Sequence, residues 1–318
     1  MNKVLETTKS VVAEAKHVQI NDAAMEKVCA EFSTKDTKTW IDAAPFTWQR
    51  GNDETELAFV IVLNALNFCY WGEQKWSMTH QGKKLDGAWG MIASLRRAME
   101  EGIPILDPRY LETIQKDDVA HILREEHHIP LFEERCGILQ EVGHQMGIKY
   151  NYRFSYVVAA ANGDALQLVD LLTRDFPSYC DDAVYNGRRV YFHKRAQLAV
   201  GDLCYAFKGD GFGKFRSIEQ LTAVADYKIP QVLRKLGILE YNASLAEKVD
   251  AKMEIPHKSP EEIEIRASQI WAIERMKRIL QPRFSQLTAR GIDSWLWLKG
   301  QQKSPDDKPY HRTRTIAY

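Results

Sequence analysis

The stretch from Val184 to Gln231 constrains the fold more than any other part of the chain, because it joins a turn signal to a helical pattern. Asn186-Gly187 separates two short β-like runs, and this dipeptide readily adopts the two positive φ angles of a tight hairpin turn. Apolar residues then recur at spacings of three and four, which places them on one face of a helix. These residues are Ala196, Ala199, Val200, Leu203 and Phe207. The stretch therefore predicts a β-hairpin followed by an amphipathic helix.

Three charged residues of this helix lie off its apolar face. Lys194 falls in the first turn, where a cation is opposed by the positive end of the helix dipole. Arg195 and Asp202 are two helical turns apart and share a flank, as a mid-helix ion pair would. An unfavourably placed charge favours a functional explanation, so Lys194 is a candidate site residue.

The end of the stretch predicts two more short helices, around 217–224 and from Pro230 to Leu236. The ring of Pro230 disfavours helix at the residue before it, so Asp226 and Tyr227 are expected in the connection. Two interpretations of Asp226 remain open with equal weight. It is either the cap of the following helix or a functional carboxylate.

The composition is that of a globular protein with a large core: 318 residues, 45% hydrophobic and 27% charged. Forty-three basic residues balance forty-three acidic ones. Proteins that grip a nucleic acid backbone usually carry an excess of Lys and Arg. The balance favours a small substrate, and we expect no stable nucleic acid binding.

Neither a membrane segment nor a secretory signal is expected. The longest apolar run, LAFVIVLNAL, has about half the length of a membrane span, and the first residues lack an apolar signal-peptide core. The five cysteines show no C-x-x-C spacing, which is typical of a reduced compartment without structural zinc. His127-His128 has no carboxylate or Cys at ligand spacing and is interpreted as a solvated helix end. The protein is expected to be cytoplasmic, with no metal and no cofactor.

A strongly apolar helix is predicted from Glu56 to Tyr70, and it ends in an aromatic segment, NFCYWGEQKW. The aromatic residues either pack in the core at a helix end or form a wall on which a flat base stacks. Stacking of a base on an aromatic ring is worth about 1–3 kcal/mol in nucleic-acid binders. Phe68, Tyr70 and Trp71 are candidates for this wall.

The C-terminal part predicts a long helix that begins with the capping signal Ser259-Pro260 and runs to about Leu280. Its inward face is expected to carry Ile263, Ala267, Ile270, Ile273 and Met276. Glu264 and Arg266 flank this face, and their simplest interpretation is a surface ion pair with neighbours.

The aromatic and basic tail, KPYHRTRTIAY, is expected to dock on the protein through Tyr310, Ile316 and Tyr318. Its arginines, Arg312 and Arg314, either bind a phosphate by paired hydrogen bonds or pin the tail to acidic neighbours.

Several separate motifs, in their order and spacing, resemble the queuosine salvage protein family. They are LNFCYW, LDGAW, KRAQ, VGDL, ADYKIPQ, EIEIRA and HRTRT. The resemblance runs from about Ala15 to Tyr318. It implies a mainly α fold with a small β-hairpin, similar to helix-hairpin-helix DNA glycosylases, in a single domain over residues 1–318 that can consist of two helical lobes.

The resemblance also implies an activity. Family members are queuosine 5′-phosphate N-glycosylases, which release free queuine and ribose 5-phosphate from a nucleotide, so that queuine can be salvaged into tRNA. Cleavage of an N-glycosidic bond passes through a cation-like ribose, which needs a carboxylate near the anomeric carbon. Asp226 is expected to be that carboxylate, with Lys194 as a partner that lowers its pKa and keeps it ionised. Asp202 is the second candidate carboxylate.

The other site residues are expected to contact the substrate. Arg195, Arg312 and Arg314 lie in motifs shared with a family that acts on a 5′-phosphate, and they are candidates for phosphate binding. The candidates for contacts to the rest of the nucleotide are Tyr227, Phe68, Trp71 and Arg266, together with Asp202.

One motif departs from the wider glycosylase superfamily. The usual hairpin carries a Gly-hydrophobic-Gly turn that grips DNA phosphates, whereas 226–230 reads DYKIP. This departure favours a nucleotide-sized substrate. Two alternatives stay open: a base-excision glycosylase acting on DNA or RNA, and a non-catalytic protein that binds queuine or queuosine.

Overall fold

The computed structural model describes residues 2–33, 38–45, 51–125, 127–302, 304–305 and 307–318. The described chain is mainly helical, as the sequence predicts. Its helices are α1 (Lys3–Glu14), α2 (Asp22–Glu31), α3 (Asp53–Ala65), α4 (Gly87–Glu100), α5 (Pro108–Thr113), α6 (Lys116–Ile122), α7 (Phe132–Tyr150), α8 (Phe154–Ala160), α9 (Ala165–Asp175), α10 (Lys194–Ala206), α11 (Lys228–Lys235), α12 (Ala243–Asp250), α13 (Pro260–Leu280) and α14 (Ala289–Lys299). No helix among the described residues is both long enough and apolar enough to cross a membrane.

The strands are short and form antiparallel pairs. They are β1 (Val18–Ile20), β2 (Ser77–His80), β3 (Lys83–Asp86), β4 (Asp182–Tyr185), β5 (Arg188–Tyr191) and β6 (Leu239–Tyr241). β2 pairs with β3, β4 with β5, and β1 with the distant β6. The sequence predicts only the β4–β5 hairpin. Its turn is confirmed, because Asn186 and Gly187 both have positive φ, at 48° and 75°.

The chain divides into two compact units, each assembled from separate segments. Unit 1 comprises Met1–Ala43, Asp181–Gln197 and Ser217–Arg314. Unit 2 comprises Ala44–Cys180, Leu198–Arg216 and Thr315–Tyr318. The division of the chain falls inside α10.

Helix α13 runs through the core of unit 1, and its predicted inward face is fully buried. The capping signal is confirmed, since Ser259 Oγ accepts the N–H of Glu262 at 3.3 Å. Glu264 is wrongly interpreted as a surface residue. Its buried carboxylate accepts the main-chain N–H groups of 16–18 and the hydroxyl of Tyr185, as a buried carboxylate requires.

Helix α10 begins at Lys194, as predicted, and its apolar face is buried. The charged flank is buried as well. Lys194, Arg195 and Asp202 are each at most 4% exposed, so the helix is enclosed on more sides than its sequence pattern indicates. Charges at such positions need compensating partners.

The predicted helix around 217–224 is wrong. Only a three-residue 3₁₀ turn, Ile218–Gln220, forms there, and the buried segment 221–226 is extended. Side chains from other elements satisfy its main chain in place of helical bonds. Gln197 Oε1 accepts the N–H of Thr222 at 3.0 Å, and Gln269 donates to the C=O of Val224 at 2.6 Å.

In unit 2, α3 ends at Ala65, earlier than predicted, and 66–72 forms a loop. Arg135 of α7 holds this loop. Its buried guanidinium donates to the C=O of Leu66, Phe68 and Cys69 at 2.6, 2.7 and 3.0 Å and lies 4.2 Å from the centre of the Phe68 ring. The predicted docking of the tail is confirmed at Tyr318, which is buried and whose C=O accepts the N–H of Cys69.

We expect Arg135→Met to lower the free energy of unfolding by about 3 kcal/mol or more. The substitution leaves several buried carbonyl groups without a donor, at a cost of about 1–3 kcal/mol each. Urea unfolding followed by circular dichroism measures the loss. Arg153→Met is the matched control, because Arg153 is exposed over the Tyr156 ring, and its change should stay within about 0.5 kcal/mol. A similar small loss for Arg135→Met would contradict the role of its hydrogen bonds.

Candidate active site

Asp226 lies where the extended segment 221–226 meets α11. Its Oδ1 accepts the N–H groups of Lys228 and Ile229, both at 2.9 Å, and the residue is 9% exposed. The capping interpretation is therefore confirmed. It does not exclude a functional role, because both hydrogen bonds go to one carboxylate oxygen and none from the described residues goes to Oδ2.

The electrostatics of Asp226 differ from the expectation. Burial raises the pKa of Asp226 above its usual range, and the charge of Lys194 and the two N–H bonds lower it only in part. Lys194 thus acts in the predicted direction. The prediction that the pKa is lowered overall is wrong, because loss of hydration of the carboxylate outweighs the attraction of the ammonium group.

A second buried carboxylate, Asp293 of α14, was missed in the sequence. Its Oδ1 accepts the N–H of Val224 at 3.2 Å, and its Oδ2 accepts a hydrogen bond from Arg290 at 2.7 Å. Burial, and the charge of Asp226, raise the pKa of Asp293 to about 7, although Arg290 opposes this. The signal in the sequence is an Asp within the apolar helix IDSWLW. Unit 1 therefore holds two buried carboxylates that interact with each other and with Lys194.

Arg266 is buried in unit 1, with an exposed fraction of 1%, so the surface ion-pair interpretation is wrong. Its guanidinium donates to both carboxylate oxygens of Asp181, at 2.9 and 2.6 Å, and to the C=O of Ala225 at 3.2 Å. It also lies 3.9 Å from the centre of the Phe192 ring. Of these partners, Ala225 directly precedes Asp226 in the chain, and Asp181 binds the main-chain N–H of Lys194.

Tyr227 follows Asp226 directly and is half-buried. Its ring centroid lies 4.9 Å from that of Tyr310, with an interplanar angle of 44°. This pair places a half-buried aromatic cluster directly after the candidate carboxylate in the chain. Tyr310 was expected only as a docking residue of the tail, and its position beside Tyr227 depends on long-range folding.

The predicted phosphate ligands differ in exposure. Arg195 is buried in the first turn of α10. Arg312 is half-buried, and its C=O accepts the N–H of Ile255 at 2.7 Å. Arg314 is 45% exposed and lies 3.3 Å from Glu254, which agrees with the pinning alternative.

Three predicted contacts belong to unit 2. Asp202 is buried and accepts a hydrogen bond from Asn64 Nδ2 at 3.0 Å. Phe68 and Trp71 are also buried, and Arg135 covers one face of Phe68, which agrees with core packing. In the part of the chain that the structure describes, no group of three His, Cys, Asp or Glu side chains is arranged to hold a metal ion.

Comparison with known proteins adds an independent line of evidence. The profile of the family described as "Queuosine salvage protein" matches residues 47–318. The chain belongs to the queuosine salvage protein family. The family predicted from the motifs is thereby confirmed.

Members of this family align with nearly the whole chain. The queuosine 5′-phosphate N-glycosylase/hydrolase of Sphaerobacter thermophilus is 43% identical over 320 residues, which cover 99% of this chain and 97% of the relative. The protein of that name from Bos taurus is 33% identical, with 98% of each chain covered. The protein of that name from Nematostella vectensis is 34% identical, with 88% of this chain and 86% of the relative covered.

The raised pKa of Asp293 predicts a pH-dependent stability. An unfolded Asp releases its proton near pH 3.9, whereas folded Asp293 keeps it up to about pH 7. The free energy of unfolding should therefore fall as pH rises between these values, by at most about 1.4 kcal/mol per pH unit. Asp293→Asn, which cannot titrate, should show a shallower fall in urea titrations from pH 4.5 to 7.5.

Asp250→Asn serves as the control for this experiment. The hydrogen bond from Arg234 holds the pKa of Asp250 below its usual value, so its titration lies below the range of the experiment. An unchanged slope in Asp293→Asn would show that Asp293 does not retain its proton in the folded protein.

Proposed function

We propose that the protein hydrolyses queuosine 5′-phosphate to free queuine and ribose 5-phosphate. The observation that carries this proposal is the near-full-length similarity to the queuosine 5′-phosphate N-glycosylase/hydrolases, up to 43% identity over 99% of the chain among the relatives compared. In this reaction the bond between ribose C1′ and the base breaks. Water supplies a hydroxyl group to C1′ and a proton to the departing base.

The buried acidic pair of unit 1 suits this chemistry. The carboxylate of Asp226 stabilises the cation-like ribose, and its Oδ2 is the oxygen that faces this task because the cap occupies Oδ1. The charge of Asp226 raises the pKa of Asp293, which favours Asp293 as the protonated member of the pair. Lys194 favours the charged form of both.

The remaining roles are also proposals. Tyr227, which is half-buried and follows Asp226 in the chain, stacks on the base or the sugar, and Arg314 meets the phosphate after releasing Glu254. Arg195, Asp202, Phe68 and Trp71 stay predicted contacts, and each of them is buried. The likeness to helix-hairpin-helix glycosylases and the cytoplasmic location stay predictions from the sequence.

A panel of three substrates tests the function. Queuosine, queuosine 5′-phosphate and a queuosine-containing tRNA are incubated separately with the protein, and free queuine is measured by liquid chromatography. We expect the fastest release from the 5′-phosphate, because the nucleoside lacks the charged group. Release mainly from the tRNA, with strong salt dependence, would favour a base-excision glycosylase. Tight binding without release would favour a binding protein.

Replacing Asp226 separates its charge from its cap. Asp226→Asn keeps an oxygen that can cap α11 and removes the charge, so turnover should fall about a thousandfold, or roughly 4 kcal/mol of barrier, with little loss of stability. Asp226→Ala loses the cap as well and should also lose about 1 kcal/mol of stability. Single-turnover queuine release and the melting temperature are measured on the same preparations. Wild-type turnover in Asp226→Asn would leave Asp226 as a cap only and transfer the catalytic assignment to Asp202.

A further inference from the structure

The residue before Lys194 has an unusual backbone conformation. His193 has φ of +50°, in the left-handed region, which costs a non-glycine residue about 1–2 kcal/mol. The chain leaves β5 and enters α10 through this residue. The direction in which α10 begins, and with it the position of Lys194, therefore depends on whatever stabilises His193 in this conformation.

Asp181 stabilises this turn with both its main chain and its side chain. Its C=O accepts the N–H groups of Phe192 and His193 at 2.9 and 3.1 Å. Its Oδ2 accepts the N–H of Lys194 at 3.0 Å. One residue thus binds the amides of three consecutive residues at the start of the helix.

Arg266 in turn fixes the carboxylate of Asp181. The two side chains form a bidentate pair, with distances of 2.9 and 2.6 Å, and both are nearly inaccessible to water. Burial by itself would raise the pKa of Asp181, but the charge and hydrogen bonds of Arg266, with the N–H of Lys194, hold it below its usual value. Asp181 is therefore an anion inside the protein.

The same guanidinium also binds the main chain of the residue before the other candidate catalytic residue. Its Nε donates to the C=O of Ala225 at 3.2 Å, and Ala225 immediately precedes Asp226. A rigid planar group therefore connects the first amide of α10, through Asp181, with the segment that carries Asp226. The start of α10 and the residue before Asp226 are thus both tied to this guanidinium.

We propose that Arg266 and Asp181 are a positioning pair that sets the distance between the Lys194 ammonium group and the Asp226 carboxylate. The inference rests on the proposed function. It assigns Arg266 a positioning role in place of the substrate contact predicted from the sequence. Stability alone is a poor explanation for the pair, because apolar residues of similar volume often replace buried ion pairs without loss. A positioning role explains the choice of arginine, because its guanidinium donates hydrogen bonds to Asp181 and to the C=O of Ala225 at the same time.

Two substitutions disrupt the pair from opposite sides. Arg266→Lys keeps the charge but loses the planar fork, and Asp181→Asn keeps the shape but loses the charge. Both should lower the single-turnover rate of queuine release at saturating substrate by about ten- to a hundredfold, as expected for a small misplacement of reacting groups. The Kd for queuine should change less than about threefold, because the proposal assigns neither side chain a contact with the base.

Glu264→Gln is the matched control. Glu264 lies on the same helix, is equally buried and binds main-chain amides of 16–18 rather than the start of α10. Its substitution should lower the melting temperature and leave the rate of release at the wild-type value. Equal rate losses in Glu264→Gln and Arg266→Lys would show that the pair only stabilises the fold, and would overturn the proposal.

A double variant shows through which residue Arg266 acts. If Arg266 serves to place Lys194, the combination of Arg266→Lys with Lys194→Ala should be about as slow as Lys194→Ala alone. Losses that multiply would overturn the proposal. Wild-type protein is assayed in parallel: no release of queuine by it overturns the proposed function, whereas release with normal rates in both pair variants overturns only the positioning role.

Discussion

The desolvation of charged side chains is the constraint on which the rest of unit 1 depends. A carboxylate or guanidinium that leaves water loses several kcal/mol of hydration, and only well-directed partners offset this. Arg266 obtains them from Asp181 and the C=O of Ala225, and Asp226 obtains them from two amides of α11. The hydrogen bonds that offset the lost hydration also hold irregular backbone in place, namely the segment around Ala225 and the start of α11. The polar groups at the site are therefore also what gives the site its shape.

Unit 2 uses the same principle with a different residue. Arg135 lies against the carbonyl groups of the loop after α3 and against the ring of Phe68. A loop with free carbonyl groups would be costly in a protein interior unless donors met them. In both units a buried arginine takes the place that helix or sheet hydrogen bonds fill elsewhere, and in both it does so beside residues predicted to contact substrate.

Local patterns explain which parts of this fold were predictable. Short-range signals such as Asn186-Gly187, the Ser259 cap and the apolar face of α13 depend on neighbours in sequence, and all three are confirmed. The predicted helix around 217–224 failed because Gln197 and Gln269, distant in sequence, bind its main chain in an extended form. The length of α3 was overestimated because apolar residues after Ala65 remain buried in a loop held by Arg135.

In the candidate site, too, local signals were predictable and contacts between residues distant in sequence were not. Asp226 was identified from its motif and from the proline that ends its connection, and its cap was predicted as an alternative. Lys194 was identified from its motif and from its unfavourable position in the first turn of a helix. The upward shift of the Asp226 pKa was not predicted, because the sequence does not show that a charged residue in a loop is buried. Asp293 and Asp181 were missed for the same reason, since their importance arises from side chains far away in sequence.

The cap on α11 has a consequence for the energetics of Asp226. Two amide hydrogen bonds to one oxygen restrict the rotation of the carboxylate, so folding largely sets the direction of its second oxygen. In the role proposed for Asp226, a charge that develops on the sugar ring would meet an acceptor that has little orientational freedom left to lose. In that role, the reaction would require little of the reorganisation energy that solvent dipoles need, because folding has already oriented the carboxylate. The longer side chain of Glu, with one more rotatable bond, could not combine the same cap with the same fixed direction.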